Sequence, residues 1–215
     1  RDTDRSRGLG DVYKRQVYVA ADRGAGDENE GNGNMRILDL KNQYVGTALT
    51  EGDMGGTNRG RALAFFDENH MAVAVDQGDE LRAAVYGFTR NREAPEGDER
   101  NYKMWGNRLA LVNFKACNTV TFHPVDGDMY FNSWDKGQFF KVEKQQIQEI
   151  FDGTRTTPAD KEVLFQMDNG WEYNIRIHPT GNYAYIVSIN KHYIQRTTYD
   201  LSLIHISEPT RPISI

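Results

Sequence analysis

NTVTFHPVDGDMYFNSWD, residues 118–135, decides the fold. It holds two short runs in which apolar and polar residues alternate, joined by HPVDGD. Alternation over four to eight residues marks a half-buried strand. The Asp and Gly of VDGD, residues 125–128, accept the backbone angles of a tight turn. The stretch therefore predicts a β-hairpin. The same arrangement recurs as RALAFFDENHMAVAVDQ at 61–77 and as YNIRIHPTGNYAYIVSIN at 173–190, where PTGN supplies the turn. Phe66, His123 and His178 hold the equivalent place in the three units, at a nearly constant interval. VYVAAD, residues 17–22, matches the second run of this unit, and its Asp22 precedes Asp76 by about the same interval.

Working outward, each hairpin is followed by two more strand signals. The third runs are MRILDLKN (35–42), AAVYGFTR (83–90) and QFFKVEKQ (138–145), and the fourth are YVGTALT (44–50), RLALVNF (108–114) and KEVLFQM (161–167). Four antiparallel strands per repeat of this length are the pattern of a β-propeller blade. A lone blade cannot bury both faces, and stacking blades around an axis does so. The expected fold is all-β: a partial β-propeller of about three to four blades out of six, each a four-stranded antiparallel sheet. KVEKQQIQEIF, residues 141–151, has helical propensity as well. Its neighbours favour an extended third strand running into a hairpin. RGAGDENEGNGN (23–34) and NREAPEGDERNYKMWGN (91–107) are expected to be surface loops.

The two ends of the chain read differently. SRGLGDVYKRQ at 6–16 and LSLIHISEPTR at 201–211 can be back-translated into strings that are reverse complements of each other. Those strings are similar to a transposon adapter used to fragment DNA for sequencing. Residues 1–16 and 201–215 are therefore expected to be adapter-derived and are set aside, as a tag would be. Residues 17–200 are expected to be a native fragment. Over the full chain 26 Lys and Arg stand against 31 Asp and Glu, a net charge of −5. Without the ends the balance is 20 against 27, or −7. Such a surface repels phosphate backbones, which argues against generic nucleic-acid binding. Cys117 is the single cysteine, so there is no intrachain disulfide and no metal-type cysteine pair. No apolar run approaches the length of a membrane span.

The repeats NTVTFHPVDGDMYFNSWDKGQFFKVEK and EYNIRIHPTGNYAYIVSIN resemble NHL-type propeller repeats. Both have a short strand, a proline-containing turn with Gly, an aromatic-rich strand, and then an Asp- or Asn-bearing loop. The HP-turn variant is most similar to gut Bacteroidetes surface proteins that join an IPT/TIG immunoglobulin-like domain to an NHL-like six-bladed propeller. The blades here are longer than standard NHL repeats, which leaves related six-bladed families open. The resemblance implies an exported or cell-surface protein of a Gram-negative bacterium. It also implies that the loops after the second strands, and those entering the first, share one face around a central channel.

On that face the loops after the second strands begin with Asp22, Asp76, Asp135 and Asn190. Four converging oxygen-bearing side chains could hold a hard cation such as calcium, or hydrogen-bond sugar hydroxyls. Turn chemistry alone also selects Asp and Asn at such positions. Trp134 stands beside Asp135, Trp171 and Glu172 stand in the loop entering the fourth hairpin, and Trp105 stands in the long insert. An exposed Trp beside polar groups is a stacking platform for a pyranose, whereas a buried one is packing between blades. The candidate ligand-binding residues are Trp134, Asp135, Trp171, Glu172, Asp76 and Asn190. The candidate metal ligands are Asp22, Asp76, Asp135 and Asn190. Arg59 and Asn118 lie in or beside the same loops. His123 and His178 precede proline, which favours extended geometry, so each is expected to end a strand on the opposite face. His70 and His192 lack partners at ligand spacing.

No hydrolase or phosphate-loop motif stands in the chain. The expected function is a non-catalytic binding module for a carbohydrate or protein ligand. The competing reading is a metal-dependent lactonase or esterase-type hydrolase, with a cation polarising the carbonyl. A protein-interaction scaffold is the third. Propellers host many functions, so the fold does not choose among them.

Overall fold

In a computed structural model of the chain the described residues are 17–20, 35–38, 44–49, 60–75, 83–90, 105–115, 117–133, 137–166, 172–188 and 193–198. They form four antiparallel sheets, each a meander of strands consecutive in sequence. The first holds β1 (Val17–Ala20), β2 (Met35–Leu38) and β3 (Tyr44–Leu49). The second holds β4 (Gly60–Phe65), β5 (His70–Val75), β6 (Ala83–Arg90) and β7 (Trp105–Asn113). The third holds β8 (Cys117–Phe122), β9 (Met129–Ser133), β10 (Gln138–Val142) and β11 (Glu162–Gln166). The fourth holds β12 (Glu172–Ile177), β13 (Tyr183–Ser188) and β14 (Tyr193–Thr198). These sheets are successive blades of a partial β-propeller, as the repeat predicts.

Alternation along β5 and β10 distributes the side chains of each to two cores. In β5, Met71, Val73 and Val75 pack with Leu49 of the first blade and with Phe88 and Trp105. Ala72 and Ala74, one residue out of phase, pack on the other side against Phe114, Val120, Met129 and Phe131. In β10, Phe140 and Val142 belong to that second core, and Phe139 faces Phe165, Ile175, Ala184 and Ile186 at the next seam. A sheet covered on both faces needs apolar residues in both phases, which is why these strands carry so little polar alternation. The rings of Phe131 and Phe140 stack at 4.9 Å, with Phe114 meeting Phe140 edge-on at 4.8 Å.

Residues 144–151 correct the sequence reading. The third strand ends at Val142, and Lys144–Phe151 is a helix, α1, in place of an extended strand and hairpin. Asp128 of the β8–β9 turn holds its start: Oδ1 accepts from the Lys144 N–H at 2.9 Å, and Oδ2 pairs with Lys141 Nζ at 2.9 Å. Gly127, at φ +80°, turns the chain there, and a Cβ on it would stand 2.7 Å from Lys144 Cδ. Ile147 and Ile150, three apart on one helix face, are buried in the core between the second and third blades. Phe151 fills a slot over Gly87 of β6, where an added Cβ would lie 2.7 Å from Phe151 Cε1. Beyond the helix, Ala159 N–H donates to Leu111 O at 2.8 Å and Lys161 Nζ donates to Asn113 O at 3.2 Å. An insertion in the third blade thereby covers the outer strand of the second, an edge that would otherwise present unpaired backbone.

Trp105 is a second correction. It opens β7 instead of closing a surface loop, is only 5% exposed, and packs on Phe65 at a ring distance of 5.9 Å. It is a core residue of the second blade.

Candidate functional site

The first strand of each described hairpin, β4, β8 and β12, carries a bulge at the same place. In β4 the pairing steps from Gly60↔Val75 to Ala62↔Ala74, leaving Arg61 as the extra residue. In β12 it steps from Glu172↔Ser188 to Asn174↔Val187 around Tyr173. In β8 it steps from Cys117↔Ser133 to Val120↔Phe131, so that Asn118 and Thr119 together face Asn132. Arg61, Asn118 and Tyr173 recur at the same interval as Phe66, His123 and His178, each standing five positions before its partner in that series. Bulges re-aim side chains and collect beside binding sites. All three sit at the end of the strand nearest the loops singled out from the sequence.

The bulge in β8 is pinned by its neighbours. Thr119 N–H donates to Asn132 Oδ1 at 3.0 Å, and Cys117 Sγ donates to Thr119 O at 3.0 Å. Asn118 is 6% exposed and its Nδ2 meets no acceptor among the described residues. A buried amide N–H without a partner is costly, and such groups mark places where a bound oxygen or water completes the set. Thr119 Oγ1 reaches across to the fourth blade and donates to Asn174 Oδ1 at 3.0 Å. Arg176 Nη1 leans back over the same hydroxyl at 3.5 Å and donates to Ile175 O at 3.3 Å. Arg176 stays exposed, and the desolvation of its covered part lowers its pKa.

Asp22, Asp76, Asp135, Asn190, Trp134 and Trp171 lie outside the described residues, as do Arg59 and His192. Glu172 is the first residue of β12, placed at the strand end beside the bulge. Among the described residues no three His, Cys, Asp or Glu side chains gather as metal ligands would. Cys117 is fully buried, and burial pushes its thiol up to about 12, so it is a neutral packing group at ordinary pH.

The histidines of the hairpin turns end their strands, as expected. β8 stops at Phe122 and β12 at Ile177. His123 is 4% exposed; its Nδ1 accepts from the Asp126 N–H at 3.0 Å and lies 3.2 Å from Asp126 Oδ2, and its Nε2 donates to Gly181 O at 3.0 Å. His178 Nδ1 bonds Thr180 Oγ1 at 2.8 Å. His70, without a ligand-spaced partner in sequence, pairs through Nδ1 with Asp67 at 2.8 Å and lies against Phe151 at 4.4 Å. These contacts are structural and lie at the turn ends of the blades.

Among the described residues this arrangement supplies hydrogen-bonding side chains on β8 and β12, beside a backbone bulge that recurs in β4, β8 and β12. The chain is similar in structure to three Bacteroides proteins. One, from Bacteroides thetaiotaomicron and named as a candidate phosphatase, is 29% identical with a TM-score of 0.67, over 87% of this chain and 40% of that one. An auxiliary nutrient binding protein from the same organism is 26% identical with a TM-score of 0.62, over 91% and 38%. An auxiliary nutrient binding protein from Bacteroides ovatus is 20% identical with a TM-score of 0.55, over 86% and 46%, and speaks for the fold alone. The chain thus spans less than half the length of each. No protein-family model and no curated protein matches it. Among the described residues no helix is long and apolar enough to cross a membrane.

Proposed function

We propose that residues 17–200 form part of a non-catalytic binding module of an exported or cell-surface protein of a Gram-negative bacterium. The observation that carries this reading is the 26% identity, over 91% of the chain, to an auxiliary nutrient binding protein of Bacteroides thetaiotaomicron. The recurring bulges at Arg61, Asn118 and Tyr173 support it, because bulges at one end of the inner strands are a means of aiming side chains there. In this reading the ligand is a carbohydrate bound on the loop face, with Trp134, Asp135, Trp171, Glu172, Asp76 and Asn190 as contacts. Asp22, Asp76, Asp135 and Asn190 are the proposed calcium ligands. The finer affiliation, an NHL-like propeller carrying an IPT/TIG domain, belongs to the same proposal, as does the adapter origin of residues 1–16 and 201–215.

A second reading is favoured by one observation, the 29% identity to the candidate phosphatase. The two separate in one experiment on the protein: glycan-array binding with and without calcium, beside phosphomonoester and lactone hydrolysis. Saturable glycan binding without turnover supports the module. Turnover that survives repurification and is abolished by chelation overturns it, in favour of a metal-dependent hydrolase.

A further inference from the structure

The seam between the third and fourth blades departs from the repeat that builds it. The positions of Asn174 and Arg176 in β12 correspond to Thr119 and Thr121 in β8 and to Ala62 and Ala64 in β4. The propeller frame is therefore made twice without a charge or an amide there. Of the three described inner strands, β4, β8 and β12, only β12 places a guanidinium beside an amide at these positions, and both converge on Thr119 of the third blade.

The hydrogen-bond inventory at this seam is lopsided. Thr119 Oγ1 and Asn174 Oδ1 are engaged with each other, and the Ile175 carbonyl takes an N–H from Arg176. Left over are the Asn174 Nδ2 protons and the remaining guanidinium N–H groups, none of which meets an acceptor among the described residues. No carboxylate pairs with Arg176 among those residues. A cation that loses water and gains no counter-ion is unfavourable, and its lowered pKa reports that loss. The surplus is all donor and opens to solvent at the exposed Arg176, so the group it would complement is an anionic acceptor. Arg presents a planar fork that matches a carboxylate two bonds at a time, and Asn adds a third N–H beside it. One guanidinium balances one negative charge, and a chain of net charge −5 works against a polyanion.

We propose that Arg176, Asn174 and Thr119 form a subsite for the carboxylate of an acidic sugar. This rests on the binding-module reading and narrows its ligand to glycans that contain uronic acid.

The test is calorimetric titration of the protein with D-glucuronate, D-glucose and inorganic phosphate at matched ionic strength, with a uronic-acid oligosaccharide and its carboxyl-reduced form beside them. The variants are Arg176→Gln and the pair Asn174→Ala with Arg176→Ala, which restores the second blade's residues. The expected result is binding of glucuronate and of the acidic oligosaccharide, weakened roughly tenfold or more in Arg176→Gln, as for loss of a charge-assisted bond. The paired variant takes the acceptor from the buried Thr119 hydroxyl, so it should melt cooperatively but somewhat lower than the parent while losing the acidic ligand. Three results overturn the subsite: phosphate binding as tightly as glucuronate, the reduced oligosaccharide binding as tightly as the acidic one, or Arg176→Gln leaving glucuronate affinity unchanged. In the last two cases glycan binding itself persists and the module reading stands. If no sugar of any kind binds, the subsite fails together with the carbohydrate form of the module reading.

Discussion

His123 Nε2 donates to the carbonyl oxygen of Gly181 at 3.0 Å, joining the first hairpin turn of the third blade to that of the fourth. Phe66, the equivalent residue one blade earlier, makes the corresponding step by packing edge-on against Phe122 at 5.3 Å. The turn of one blade thus rests on the next, by a hydrogen bond at one seam and by ring contact at the other. Gly181 has φ +76°, and a Cβ on it would stand 2.7 Å from His123 Cε1 and Nε2. The left-handed backbone and the approaching imidazole both require glycine.

Gly181→Ala is therefore expected to lower stability by about 1–3 kcal/mol, through backbone strain and displacement of the imidazole. His123→Ala should destabilise as well, since it leaves the Gly181 carbonyl and the Asp126 N–H without their partner. The double variant should cost less than the sum of the two. Urea unfolding of all three checks this, and strict additivity would show that the two residues do not act as a unit.

At Gly87 the same logic applies inside a strand. Gly87→Ala should destabilise the protein, because its Cβ would enter the Phe151 ring, 2.7 Å from Cε1 and 2.9 Å from Leu111 Cδ2. Phe151→Ala should cost about 3–5 kcal/mol if the ring counts as fully buried, and less in proportion to its remaining exposure. In the double variant the new methyl group partly fills the vacated slot, so part of the loss should return. Thermal melts of the set read this directly, and a double variant as unstable as the sum would refute the slot.

Cys117 is expected to resist thiol reagents in the folded protein at neutral pH and to react on unfolding. Its folded pKa is raised from an ordinary value near 9 to about 12 by burial. The sign follows from linkage: the neutral thiol's contribution is fully present below about 9 and is lost as pH rises toward about 12. Stability measured across that alkaline window should fall less in Cys117→Ala than in the parent. Rapid labelling of the native protein at pH 7 would contradict the burial.

For Asp67 the sign is opposite. Burial alone would raise its carboxyl, but the bond from His70, helped by the Asn69 N–H at 2.6 Å, outweighs it and holds the carboxyl below the ordinary range. Its stabilisation is present above the ordinary carboxylate pKa and is lost as pH falls through the lower, folded value. Asp67→Asn should thus be less stable than the parent near neutrality and converge with it in acid. The side chain is 41% exposed, so the effect should be small. Parallel pH–melting curves would rule the interaction out.

The blades were legible because strand signals are local. The alternation in 118–122 and 129–133, the Gly127 turn, and the regular recurrence of Phe66, His123 and His178 all stand in the chain itself. Helix α1 was not. KQQIQEIF satisfies either periodicity over so short a length, and the extended reading gave Phe151 no particular destination. The helix prevails because Ile147 and Ile150 enter the core at the seam, Phe151 finds the gap above Gly87, and Asp128 caps its start. Trp105 was misplaced for a related reason: a polar insert surrounds it in sequence, and only the pairing of Arg90 with Trp105 extends β7 that far.

The site divides the same way. Asp22, Asp76, Asp135 and Asn190 could be chosen from sequence because they follow second strands at the repeat interval, and they lie outside the described residues. The bulges at Arg61, Asn118 and Tyr173 have no sequence mark, since a bulge is a relation between two strands and exists only once the register is set. The convergence of Asn174 and Arg176 on Thr119 is more remote still, for it joins strands of different blades. The sequence by itself determined the repeat, the strands and their meander, because backbone sterics and alternation act over a few neighbours. Tertiary structure alone decided the helix, the bulges and the donor-rich seam. Each depends on which surfaces of adjacent blades meet, and no local propensity contains that information.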